Sequence, residues 1–147
     1  ILKIRGEIMV KKKKKMKILI AEDDYVSRKF LYKFLSNYGE CDITVDGMEA
    51  IEVFMMSLDE KEYYDLVCLD IMMPEVDGVK ALKTIRLLEE EREVPKNKRA
   101  KIIMTTALND TEKVMGSFEG GSEAYAVKPI DIDKFIDVMG KLGLVEN

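Results

Sequence analysis

Histidine is absent from all 147 residues. That excludes Ser-His-Asp triads, imidazole-ligated metals and a phosphohistidine formed on this chain. The two cysteines, Cys41 and Cys68, stand 27 residues apart with no CxxC spacing. Neither a zinc site nor a dithiol redox pair is indicated, and both read as small buried hydrophobes. No apolar run comes near the roughly twenty residues that a membrane helix needs. There is no internal repeat, and the one low-complexity stretch is the run Lys11 to Lys15. A secretory signal would place an apolar h-region behind a basic start. Here the lysines lead straight into a short strand-like run, so a cytoplasmic chain without membrane contact is expected.

What is present fits one ordinary domain: 47% apolar and 35% charged residues over this length can bury a real core. The net charge of -4 hides an asymmetry. Residues 1–16 hold seven Lys or Arg against one Glu, so a basic leader precedes a domain with a net charge of -10. Residues 1–15 are expected to be a basic tail or linker and 16–147 the folded domain. A lysine run can meet nucleic acid or a membrane surface. A solvated tail is the simpler reading, and no direct nucleic-acid binding is expected.

From Lys17 onward, short apolar runs alternate five times with longer amphipathic ones. "KILIA", "DITV", "DLVCLD", "IIMTTA" and "AYAV" read as strands. Between and after them lie helical patterns. The first places Val26, Phe30, Leu31, Phe34 and Leu35 on one face, with Gly39 as its stop. The second places Ala50, Ile51, Phe54 and Met55 inward; the third Val79, Leu82, Ile85 and either Leu87 or Leu88, before an acidic end expected to be solvated. A weaker helix ends at two glycines, and "DIDKFIDVMGKLG" closes the domain. Near-continuous apolar strands alternating with helices predict a parallel sheet covered on both faces, a doubly wound three-layer α/β sandwich.

Ligand sites in such sheets form at the carboxyl ends of the strands. The first strand ends in Glu22, Asp23 and Asp24, the third in Asp70, and the fourth in Thr105 and Thr106. The fifth runs into Lys128 and Pro129; the second ends at Asp46 without an obvious partner. Carboxylates gathered from two strands repel unless a cation joins them, and oxygen-only ligands select a hard ion, Mg2+. Lys128 adds positive charge, a Thr hydroxyl can donate to a phosphoryl oxygen, and an Asp beside Mg2+ can act as a nucleophile. Asp24 is read as a helix cap and Thr105 as strand filler. Pro74 and Gly78 are read as turn punctuation.

"ILIAEDD", "LDIMMPEVDG", "MTTA" and "AYAVKP", in this order on these strands, resemble the signature of the response-regulator receiver domain of two-component signalling. The resemblance covers residues 16–143. It implies a flavodoxin-like fold with a five-stranded parallel sheet in order 2-1-3-4-5. It also implies that Asp70 is the phosphoacceptor, that Asp23 is a metal ligand supported by Glu22, and that the Met72 backbone carbonyl completes a Mg2+ site. Thr106 and Tyr125 match the switch pair, and Lys128 the lysine that pairs with the acceptor and its phosphate; a cis bond before Pro129 fits the same pattern. The implied reaction takes a phosphoryl group from a phosphohistidine on a sensor histidine kinase or phosphotransfer protein. Apart from this self-catalysed transfer and its own slow dephosphorylation, the chain is not expected to be an enzyme. Its output is read on the face of the fourth helix, fifth strand and fifth helix, and dimerisation on phosphorylation is compatible with it.

Two positions depart from the familiar chemotaxis regulator, which has polar residues two places after the acceptor and two after the switch threonine. Here these are Met72 and Leu108, an apolar rim that predicts slow self-dephosphorylation. The loop "EEEREVPKNKRAK" is also longer than usual, without a clear functional meaning. Two other classes were weighed. An Asp-nucleophile phosphatase needs an acid where Met72 stands, and an FMN-binding flavodoxin-like module needs a phosphate loop where "EDD" stands.

Overall fold

Ile18, Leu19, Ile20 and Ala21 are all shielded from solvent, but they serve two different cores. Ile18 and Ile20 pack with Leu31, Phe34, Leu35, Phe135 and Met139, whereas Leu19 and Ala21 pack with Ala50, Phe54, Ala81, Leu82 and Ile85. Because successive strand side chains point to opposite faces, an all-apolar strand requires a helical layer on each side. The computed structural model, which describes residues 2–4, 7–9, 15–107 and 111–146, has that arrangement.

The sheet consists of β1 (Met16–Ala21), β2 (Gly39–Thr44), β3 (Leu66–Asp70), β4 (Lys101–Thr106) and β5 (Ala124–Val127). Its helices are α1 (Tyr25–Leu35), α2 (Gly47–Asp59), α3 (Gly78–Glu91), α4 (Thr111–Gly120) and α5 (Ile132–Lys141). All strand pairs are parallel, in spatial order β2-β1-β3-β4-β5, the order 2-1-3-4-5 expected from the sequence. Helices α1 and α5 cover one face and α2 and α3 the other. Within the leader expected as a tail or linker, Leu2–Ile4 and Glu7–Met9 pair as two antiparallel strands. Lys11 to Lys14 lie outside the described residues.

Several local expectations are corrected. Val26 and Phe30 do not join the inner face of α1; they are 73% and 40% exposed. Gly39 does not stop α1, which ends four residues earlier at Leu35 with Ser36 as its C-cap, but opens β2 beside the Met16 carbonyl. Leu88, not Leu87, is the inward residue of α3. Asp46 has a partner after all: it caps α2, accepting from the Glu49 backbone N–H at 2.8 Å. Asp24 caps α1 as read, accepting from the Ser27 N–H at 2.9 Å.

The largest correction concerns the acidic end of α3. Glu89 is 1% exposed, held by Arg86 Nη1 at 2.6 Å and by the Ala100 backbone N–H at 2.8 Å. Arg86 also donates to the Ala100 carbonyl at 2.9 Å and through Nε to the Gly121 carbonyl at 3.0 Å. Its second nitrogen grips both oxygens of Glu123, at 2.8 and 2.9 Å. One guanidinium, whose five donors form a rigid fork, thus joins α3, the start of β4 and the turn after α4. A buried carboxylate is tolerable here because every strong partner is charged or a backbone donor.

Removing Glu89 leaves the Ala100 N–H and part of Arg86 without an acceptor in a dry place. Glu89→Ala is expected to lower unfolding free energy by about 2–4 kcal/mol. The exposed neighbour substitution Glu90→Ala should stay within about 0.5 kcal/mol. Urea denaturation of the two variants side by side checks this.

Candidate functional site

The carboxyl ends of β1, β3, β4 and β5 converge on one edge of the sheet, and the residues singled out there are brought together. Carboxylate oxygens of Glu22, Asp23 and Asp70 all lie within 4.8 Å of one another. Glu22 is fully buried and Asp70 4% exposed, while Asp23 faces solvent. Lys128 reaches in from the loop after β5, its ammonium 3.2 Å from Asp70 Oδ2 and in closer contact with Glu22 Oε1. Thr106, the last residue of β4, is buried, its hydroxyl donating to the Ala107 carbonyl at 3.1 Å. The Lys128 backbone N–H donates to the Thr106 carbonyl at 2.7 Å, so the β5 loop is tied to β4 at the level of the site. The Lys128–Pro129 bond is cis, as the sequence resemblance implied.

Tyr125 sits apart from this cluster. Its ring is 43% exposed on β5 and meets Phe118 of α4 edge-on, with centroids 5.6 Å apart. Met72 is 50% exposed just beyond β3, and its backbone N–H donates to Asp70 Oδ1 at 3.2 Å. Leu108, the other position expected on the apolar rim, lies outside the described residues. Thr105, read as filler, is buried between strands with no hydrogen-bond partner for its hydroxyl among the described residues.

The charges explain the state of the site. Burial pushes the Asp70 carboxyl up, and the adjacent Glu22 pushes it further, to about 8 despite the opposing pull of Lys128. Burial alone would lower the Lys128 ammonium; hydrogen bonding to Glu22 and the charge of Asp70 outweigh it and hold Lys128 above its ordinary range. Three clustered acids against one lysine leave an uncompensated negative charge. The donor set is all oxygen and needs a further cation, which fits a hard divalent ion such as Mg2+.

Two features escaped the sequence reading. Arg28, one turn into α1, donates to the carbonyls of Glu22 and Asp23 at 3.0 and 3.2 Å and so holds the acidic loop in place. Nothing in the helical pattern distinguishes it from any exposed arginine. Gly78 is more than punctuation: a Cβ there would lie 2.2 Å from the Asp70 carbonyl oxygen, so only glycine lets the start of α3 return beneath Asp70. Between them Val76 N–H closes on the Pro74 carbonyl at 2.8 Å around Glu75, which takes φ 64°, a tight turn that swings the chain off the strand end.

The chain is similar to known proteins over nearly the whole of this fold. The model of the response regulator receiver domain matches residues 18–139. The probable transcriptional regulator ycf27 of Galdieria sulphuraria is 38% identical over 118 residues, 80% of this chain and 41% of that protein. Response regulator ArlR of Staphylococcus saprophyticus is 32% identical over 122 residues, 82% of this chain and 49% of its own length. The chain therefore spans less than half the length of these relatives. Among solved structures, the receiver domain of Francisella response regulator 1452 is 32% identical with a TM-score of 0.63, covering 84% of this chain and 93% of that one. A chain of the CheX-CheY-BeF3-Mg2+ complex from Borrelia burgdorferi is 27% identical with a TM-score of 0.71, covering 87% and 89%.

The crowded acids have a thermodynamic signature in the absence of metal. Asp70 binds its proton more tightly folded than unfolded, so the stability this provides is present at acidic pH and is lost as pH rises from the ordinary 3.8 through about 8. Asp70→Asn removes that charge. In EDTA its Tm should exceed that of the parent, by more at pH 8 than at pH 5; a deficit at pH 8 would contradict this account of the charges.

Proposed function

We propose, for a chain that belongs to the response regulator receiver domain family, that Asp70 is the atom-bearing centre of its switch, the residue that accepts the phosphoryl group. As a receiver domain of two-component systems, the chain is a phosphorylation-activated signalling switch. The observation that carries the assignment is the buried Asp70 carboxylate, with Lys128 3.2 Å from one oxygen and two further acids within 4.8 Å. No structural economy explains such a cluster, because each buried charge costs several kcal/mol unless something is gained from it (about that much per ion).

The donor is a phosphohistidine on a sensor histidine kinase or phosphotransfer protein, supplied in trans because this chain has no histidine. An Asp70 oxygen forms the new P–O bond while the P–N bond to the partner's imidazole breaks, the electron pair leaving with the ring nitrogen. Lys128 holds Asp70 in place beforehand and neutralises charge on the phosphoryl oxygens during transfer. Mg2+, when bound through oxygens of Glu22, Asp23, Asp70 and the Met72 carbonyl, supplies positive charge beside the transferring group. Arg28 and Asp24 keep the acidic loop and α1 in register for that role.

The Thr106 hydroxyl then turns from the Ala107 carbonyl to the phosphoryl oxygen, and Tyr125 moves inward with it. Since Tyr125 packs against Phe118, its movement alters the surface shared by α4, β5 and α5, where a downstream target reads the state. The switch resets by slow self-dephosphorylation, and the chain is read as a cytoplasmic one. Among the described residues no helix is long and apolar enough to cross a membrane.

Acetyl phosphate with Mg2+ is expected to label the parent protein at Asp70, and omission of the divalent ion or Asp70→Asn should abolish labelling. Label on the Asn variant sinks the assignment. The exposed Met72 side chain shields the acyl phosphate from attacking water, so Met72→Asn should shorten the phosphoryl lifetime severalfold. A parent lifetime at or below that of chemotaxis regulators would count against it.

A further inference from the structure

Lys113, in the first turn of α4, reaches back across the site mouth to the acceptor loop. Its ammonium lies 2.8 Å from the Met72 sulfur. A thioether is a weak acceptor, so an ammonium resting on one gains little compared with what an anion would offer it. Met72 itself is bound to the acceptor, since its backbone N–H donates to Asp70 Oδ1 at 3.2 Å. The lysine is thus stationed on the loop that leaves Asp70, at the residue two positions beyond it, and is held there by a contact that is easily exchanged.

Charge counting gives it a task. Glu22, Asp23 and Asp70 against Lys128 leave two negative charges, which one divalent cation balances. Phosphorylation replaces the single charge of Asp70 with the two of an acyl phosphate. The site then lacks one positive charge, and a lysine stands at its mouth.

Building on the phosphoacceptor reading, we infer that Lys113 is a second phosphoryl-contacting cation: on phosphorylation its ammonium leaves the Met72 sulfur and binds a phosphoryl oxygen at Asp70. The consequence reaches beyond charge, because Lys113 belongs to α4. The far end of this helix is fixed, the Gly121 carbonyl being held by Arg86 Nε at 3.0 Å. Transfer of Lys113 from sulfur to phosphate therefore draws the first turn of α4 toward the acceptor, a pull separate from that of Thr106.

The test separates metal binding from phosphoryl binding. Mg2+ alone, and beryllofluoride in the presence of Mg2+, are titrated into the parent, Lys113→Gln and Lys113→Arg, with calorimetry for the first probe and fluorine NMR for the second. Lys113→Gln should weaken beryllofluoride binding about tenfold, the size of one charge-assisted hydrogen bond, with Mg2+ affinity unchanged. Lys113→Arg should restore most of it. Equal beryllofluoride affinity in Lys113→Gln, or a parallel loss of Mg2+ affinity, overturns the inference. Failure of the parent to take up beryllofluoride, or uptake by Asp70→Asn, overturns the phosphoacceptor reading and this inference with it.

Discussion

The contact on which the molecule depends is that of one ammonium, Lys128, with two buried carboxylates, Glu22 and Asp70. It joins the ends of three strands that sheet hydrogen bonding alone would not hold at the same level, and it does so where like charges would otherwise push them apart. The surrounding structure is arranged to tolerate this. The apolar strands of two cores bring the acids together, Arg28 fixes the backbone of the acidic loop, and Gly78 lets α3 begin directly under Asp70. A site assembled this way carries unrelieved negative charge, which a cation would relieve. Its oxygens are gathered in a set that fits a divalent ion.

The fold was legible because its strands are apolar on both faces, a pattern that only a covered parallel sheet satisfies, and because the acids, hydroxyl and lysine fall at strand ends. The site was legible for the same reason: topology takes residues distant in sequence and puts them at one edge. Periodicity failed where the environment of a face is decided by distant parts of the chain. Val26 and Phe30 have the spacing of inward residues, but they lie beyond the cover of α5 and border an open groove with Lys128, Pro129 and Ile130. Glu89 failed in the other direction. A run of glutamates reads as solvated, and only the arrival of Arg86 and the Ala100 N–H makes one of them a core residue.

Caps are set by local chemistry and contacts are not. Asp24, Asp77 and Asp131 each accept a backbone N–H three residues on, a relation carried wholly by neighbouring sequence. The contact of Lys113 with Met72 spans 41 positions and leaves no trace in spacing, and the turn around Glu75 places a non-glycine residue at positive φ, where composition gives no warning. Strain of this kind persists where the surroundings over-determine it, and here it lies in the loop that leaves β3 at Asp70.

The Arg86 hub also has a mechanical meaning. With the turn after α4 pinned at Gly121, the helix is a lever hinged at its carboxyl end, and its ten residues give an arm of about 15 Å. A tilt of a few degrees about the hinge scarcely moves Gly120 but displaces the opening turn by an ångström or more. A protein that touches the hinge end of α4 would find nearly the same surface in both states, whereas one that grips the outer end would meet two. On the proposed switch, discrimination between on and off would therefore be graded along a single helix, and the position of a partner's footprint on it would set how sharply that partner responds.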